Sequence, residues 1–192
     1  MRRLKRLFLV LPIVAVLVAA LCVPATASAR TTPRYATLNS SGMLVSIDEG
    51  NTWQTRLGYW IVLDRHVEGL FTQGDLAPRG FSLTYNGLIK SAETQVGVIH
   101  GDMVIDGGLQ GKITGVTGIT DLVYLEAFGT YLPKLSFGGT WSFTGGAKGA
   151  GTFSGYFVFV PYYDEAGNPH VGYILPDLSM ITVKGRWIPQ SD

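Results

Sequence analysis

The sequence predicts an all-β domain: an antiparallel, glycine-rich meander closing into a barrel, with a sandwich as the runner-up, preceded by an N-terminal signal helix. Three observations lead there. Short runs rich in Thr, Val, Ile and aromatics alternate apolar and polar side chains with period two, which puts one face of a strand in a core and the other in water. All 25 glycines of the 192 residues fall after residue 29, among those runs. Clusters of Asp, Gly and Asn separate the runs at the short intervals expected when neighbouring strands pair.

The first 29 residues stand apart. Met1-Arg2-Arg3-Leu4-Lys5-Arg6, an apolar run from Leu7 to Val23 and then Ala27-Ser28-Ala29 have the layout of a secretory signal peptide. The basic start holds the N-terminus in the cytoplasm, the apolar run enters the bilayer, and the small residues suit cleavage before Arg30. An uncleaved anchor would leave the same topology, with the domain outside. A lipid-anchored Cys22 is disfavoured by Leu21, where lipoprotein processing requires a small residue. The expected organisation is a signal peptide at 1–29 and one exported domain at 30–192, which meets the membrane only through the signal segment during export.

Cleavage removes four of the 15 basic residues and none of the 14 acidic ones, leaving a small negative excess with cations scattered singly. A surface without a basic stripe is a poor partner for nucleic acid. No cysteine follows Cys22, which excludes disulfides, Cys-zinc sites and thiol catalysis from the domain. Packing and backbone pairing must hold it, and a chain of this length can bury a sufficient core.

Leu135, Phe137, Gly139, Trp141 and Phe143 alternate with Ser136, Gly138, Thr140, Ser142 and Thr144. Phe81, Leu83 and Tyr85 alternate with Ser82, Thr84 and Asn86, and Ile181, Val183 and Trp187 with Thr182, Lys184 and Arg186. Each run reads as a strand with one buried face. About eight to ten strands are expected, with a helical turn around Asp121 to Phe128 as the exception. Turns are expected at 48–51, 106–108, 145–146 and 164–169, where Asp, Asn and Gly tolerate positive φ. Glycines inside strand patterns, such as Gly97, Gly115, Gly139 and Gly155, permit the bends that closure requires and favour a barrel over a flat sandwich.

Gly138-Gly139-Thr140-Trp141-Ser142-Phe143-Thr144-Gly145-Gly146 and Gly151-Thr152-Phe153-Ser154-Gly155 resemble the strand patterns of small secreted barrels of the dirigent and allene oxide cyclase type. The resemblance is compositional and covers mainly residues 80–160. It implies a barrel whose mouth binds hydrophobic ligands, in some members guiding cyclisation or coupling without a cofactor, and it carries over no site residues. A second likeness is local. Ser46-Ile47-Asp48-Glu49-Gly50-Asn51-Thr52-Trp53 is similar to the Asp-box hairpin of sialidase-like propellers, in which Asp accepts backbone hydrogen bonds, Gly takes positive φ and Trp packs beneath the turn. Propellers repeat such units. One copy implies a structural turn built on Asp48, Gly50 and Trp53.

Two His/Asp pairs have strand spacing, Asp64 with His66 and His100 with Asp102, so each pair should share a face. A carboxylate beside an imidazole serves general acid–base chemistry, which makes these four the candidate catalytic residues, with surface ion pairs as the alternative. His170 falls in an expected loop and no ligand set is complete, so neither a metal nor an organic cofactor is expected. Ser154 is out of register for a nucleophile elbow. The ligand-binding candidates are aromatic: Trp60 in an early hairpin arm, and Tyr162 and Tyr163 beside a loop with Pro161, Pro169 and Pro176.

These features read as an exported non-catalytic barrel that binds a hydrophobic small molecule or a cell-surface component. The alternative is a cofactor-free dirigent- or cyclase-like enzyme using the barrel mouth and a His/Asp pair. Exported material should begin at Arg30, which N-terminal sequencing checks; a lipid-blocked Cys22 would overturn the assignment.

Overall fold

A computed structural model of the chain describes residues 34–90, 94–163, 165, 167 and 169–189. The expected signal segment, its cleavage site and Cys22 lie outside these residues, as do Asp164, Ala166 and Asn168 of the expected late turn. Nine strands follow one another: β1 (Ala36–Ile47), β2 (Asn51–Gln54), β3 (Trp60–Gly74), β4 (Gly80–Ile89), β5 (Gly97–Ile105), β6 (Leu109–Leu125), β7 (Thr130–Gly145), β8 (Lys148–Tyr163) and β9 (Pro169–Ile188). From β3 to β9 each strand pairs antiparallel with the next. The sheet closes because β1 pairs with β9 over 36–42 and with β3 over 40–47. β2 continues the course of β1 along β3, so the nine strands make an eight-stranded closed barrel, as the glycine-bent strand patterns imply.

Three local expectations are corrected. The segment 121–128 is not a helical turn: β6 runs on to Leu125, with Tyr124 opposite Tyr131 and Leu125 opposite Thr130, and the chain reverses at 126–129. Pairing with β7 decides the conformation there, over any local helical signal. The segment around Asp48 is not a hairpin turn either. β1 and β2 both pair with β3 and not with each other, so 48–50 interrupts a strand, and the reversal comes at 55–59. Trp53 accordingly stands exposed on the outer wall opposite Ile61 instead of packing beneath a turn. Finally, the Pro-rich late segment is no long loop. β8 and β9 stay paired out to Tyr163 and Pro169, and register shifts beside Val158 and Pro161 absorb residues that cannot donate to the ladder.

Inward positions carry the core, including Leu83, Ile99, Met103, Ile113, Leu135, Trp141, Phe153 and Val183. Bulky rings fit because glycines face them from other strands. A methyl group at Gly185, for example, would sit 2.6 Å from Cζ2 of Trp141.

One end is sealed. The turn between β3 and β4 tucks Leu76 under the barrel with no exposed surface, among buried Leu38, Phe71, Ile105 and Leu109. Polar groups fix it there: the Leu76 N–H donates to Ser40 Oγ (2.9 Å), the Asn39 N–H to the Asp75 carboxylate (2.7 Å) and the Gly80 N–H to the Asp106 carboxylate (2.9 Å). Leu76→Ala should cost about 2–5 kcal/mol, because surroundings held by these bonds cannot collapse into the vacated space. Urea unfolding of both proteins measures it, and a loss under about 1 kcal/mol would show that the seal is dispensable.

Candidate functional site: the lumen and its open end

At the opposite end, where the 55–59 and 126–129 turns lie, polar side chains enter the barrel. The cause is a bulge in β3. Val62 points inward, and strict alternation would put Asp64 inside and Arg65 outside. Asp64 instead takes a left-handed conformation (φ 52°), and the pairing with β4 shifts between Val62 and Arg65. Inward positions thereafter are Arg65, Val67 and Phe71. The displaced Asp64 N–H donates to Asn86 Oδ1 at 2.9 Å.

Arg65 is thereby only 7% exposed. Its Nε and Nη2 donate to the Glu49 carbonyl at 3.1 and 2.8 Å, and Nη2 reaches Thr52 Oγ1 at 3.5 Å. Tyr85, its cross-strand partner on β4, lies beside it, close enough for the guanidinium to act on the phenol. What surface Tyr85 retains faces the enclosed lumen, so burial pushes its pKa above the ordinary 10.0. The charge and hydrogen bond of Arg65 pull it down less strongly, and the Asp48 carboxylate adds a smaller upward push. The phenol therefore stays neutral.

Asp48 is engaged with backbone through its carboxylate. Its Oδ1 accepts the N–H groups of His66 (2.8 Å) and Gly50 (3.0 Å), while its own N–H donates to the His66 carbonyl (3.0 Å). The carboxylate thus caps backbone, as its motif implies, although across a strand interruption. Gly50 takes φ 57° there, and a Cβ would collide with the Leu63 carbonyl and the Arg65 backbone. Among the described residues, the ion pairs are His66 with Glu68 and Lys112 with Asp102, both exposed, so Arg65 has only neutral partners.

Beyond Arg65 and Tyr85 lies an apolar cavity of about 70 Å³, walled by Leu83, Ile99, Met103, Ile113, Leu135, Phe137 and Trp141 among others. A second space of about 20 Å³ extends toward the open end between Thr52, Trp60 and His170. The two share Arg65, Ile89, Gln95 and Val171 as walls. At the rim, the His170 ring stacks on Tyr162 (centroids 5.0 Å apart) and meets Trp60 edge-on (5.3 Å).

Two of the three aromatic candidates, Trp60 and Tyr162, thus come together through His170. Tyr163, opposite Pro169, is exposed on the hairpin beyond. The candidate catalytic residues do not converge. Asp64 sits in the bulge, exposed, and the ion pair of His66 is with Glu68 instead. His66 lies on the outer wall, with Nδ1 3.3 Å from Thr84 Oγ1 and Nε2 3.6 Å from Glu68. His100 and Asp102 do share a face, but the outer one, where Lys112 Nζ holds Asp102 at 2.8 Å. None of the four borders the lumen. Among the described residues no three His, Cys, Asp or Glu side chains gather as metal ligands.

Arg65 and Tyr85 escape the sequence analysis as site residues. Tyr85 is visible as the third inward residue after Phe81 and Leu83, but Arg65 turns inward through the bulge alone, and the one hint is that Asp tolerates positive φ. No family model matches the chain, and no curated protein or solved structure is significantly similar to it.

The Tyr85 phenol gives a signed pH dependence. Above pH 10.0 the unfolded phenol releases its proton while the folded one keeps it, so its contribution is complete below that pH and is lost as pH rises through the higher folded value. Tyr85→Phe should flatten the fall in unfolding free energy above pH 10.0, as read from denaturant titrations at successive pH values. An unchanged slope would place the phenol in water.

Proposed function

We propose that this chain is an exported binding barrel that takes a small hydrophobic molecule into its lumen through the end bearing Trp60, Tyr162 and His170. The observation that carries this reading is the unfilled apolar space. A core serving stability alone is filled to the density of an organic crystal, whereas here about 70 Å³ stays open inside a closed wall. Polar groups gather at one end of that space, the arrangement typical of small-molecule sites. Its size suits a guest of a few carbon atoms, and the flexible Met103 side chain on its wall could yield to a somewhat larger one.

The dirigent- and cyclase-type resemblance points toward the same barrel mouth. An enzyme of that kind needs its acid–base groups facing the guest, and both His/Asp pairs face solvent, which favours binding over catalysis. Export, with cleavage before Arg30, belongs to the same reading.

Calorimetric titration with benzene or 1-hexanol should give saturable binding, and the same probes should raise the melting temperature. Leu83→Trp, which fills the lumen, should abolish binding while keeping a β-type circular dichroism spectrum. Failure of every small apolar probe to bind, or undiminished binding by the filled variant, would sink the proposal.

A further inference from the structure

We infer that the guest is an amphiphilic anion, a short apolar body ending in a carboxylate that Arg65 receives at the open end while the body lies among Leu83, Met103 and Trp141. The inference rests on the lumen being a binding site and names the chemistry of what enters it. A cation taken out of water is costly unless an anion accompanies it. Arg65 is 7% exposed, yet the groups that hold it are a main-chain carbonyl and a hydroxyl, with the Tyr85 phenol beside it, all uncharged. These acceptors fix the guanidinium plane without balancing its charge.

Among the described residues, no acidic side chain lines either the lumen or the space at its mouth. Asp48 is exposed, lies beyond ion-pair distance of Arg65 and spends Oδ1 on two backbone N–H groups. The contacts to Glu49 and Thr52 use Nε and Nη2, which leaves the Nη1 side of the fork for an incoming oxyanion. Tyr85 adds a second donor, since the neutral phenol beside Arg65 has its O–H to give. A carboxylate held by both would leave its chain pointing down an apolar tube, whereas a cationic guest would meet the like charge of Arg65 and, among the described lining residues, no acidic side chain.

A purely structural role for Arg65, tying the 48–50 interruption to β3 through the Glu49 carbonyl, predicts no headgroup preference, so a matched series separates the two. Hexanoate, 1-hexanol and hexylammonium are titrated into the intact protein at neutral pH. Hexanoate should bind roughly ten-fold or more tightly than 1-hexanol, and hexylammonium not detectably. Arg65→Gln should bring hexanoate down to the level of 1-hexanol and leave 1-hexanol unchanged. Tyr85→Phe, which keeps the tie to Glu49, should weaken hexanoate alone by a few-fold and keeps the inference testable if Arg65→Gln fails to fold. Equal affinity for hexanoate and 1-hexanol in the unaltered protein would overturn the headgroup assignment while leaving the lumen a binding site. Absence of binding by all three would overturn the binding reading itself.

Discussion

β1 pairs with β9 over 36–42 and with β3 over 40–47, so only Ser40, Ser41 and Gly42 pair on both sides. Closure of the barrel depends on that short overlap. Gly42 allows it: a Cβ there would collide with the Leu70 carbonyl, so the backbones could not approach as they do. Past the overlap, the edge of β1 turned from β3 must be satisfied by other means. Ser179 does this at Leu44, accepting its N–H at 2.9 Å and sharing its own hydroxyl between the carbonyls of Leu44 (3.0 Å) and Pro176 (2.8 Å). The excursion of β9 at 176–178 brings Ser179 there. In a domain without cysteine, no covalent tie could stand in for these bonds, and an unclosed sheet would present two rows of unpaired donors and acceptors to other chains.

The same strand supplies the hardware of the site. Where β1 gives way to β2, Asp48 caps the His66 and Gly50 amides and Arg65 takes the Glu49 carbonyl. The interruption in one strand and the bulge in its partner therefore answer each other across the β1–β3 seam. The bulge delivers the guanidinium to the inside, and the interruption offers it a carbonyl that a regular ladder would have spent on pairing. A charge enters a mostly apolar barrel where these two irregularities of the wall meet.

That coupling explains what could be read from the sequence. Periodicity is local, and the inward faces of Phe81 to Tyr85, Leu135 to Phe143 and Ile181 to Trp187 follow from residue types alone. Turns rich in Gly, such as 106–108 and 145–146, likewise declare themselves. The parity of β3 does not. One residue in a left-handed conformation exchanges inside for outside over the rest of the strand, which hid Arg65 and put His66 on the outer wall. The partner of each strand was equally hidden: residues 48–50 look like a reversal until β3 is seen to pair on both sides of them. The aromatic rim was half legible, because Trp60 and Tyr162 stand out by type, while their meeting depends on His170, which arrives through a β8–β9 pairing longer than its prolines suggest.

The two ends of the barrel resolve a conflict between stability and occupancy. Empty interior space costs stability in proportion to its volume, so a barrel that keeps a lumen must be held by its wall and by whatever part of its core is fully packed. Here the packed part is the sealed end, where Leu38, Phe71, Leu76, Ile105 and Leu109 are almost wholly buried and turn amides are capped by Ser40, Asp75 and Asp106. The outer wall is polar at mid-height, along the row His66, Thr84, Asp102 and Lys112, and the inner wall is mostly apolar. On the proposed reading, a guest reaching this lumen from water must shed its hydration at the open end. That is where the aromatic rim offers apolar surface and where Arg65 and Tyr85 can replace the water lost by a charged headgroup, so the least packed end of the barrel is also the one equipped for exchange with solvent.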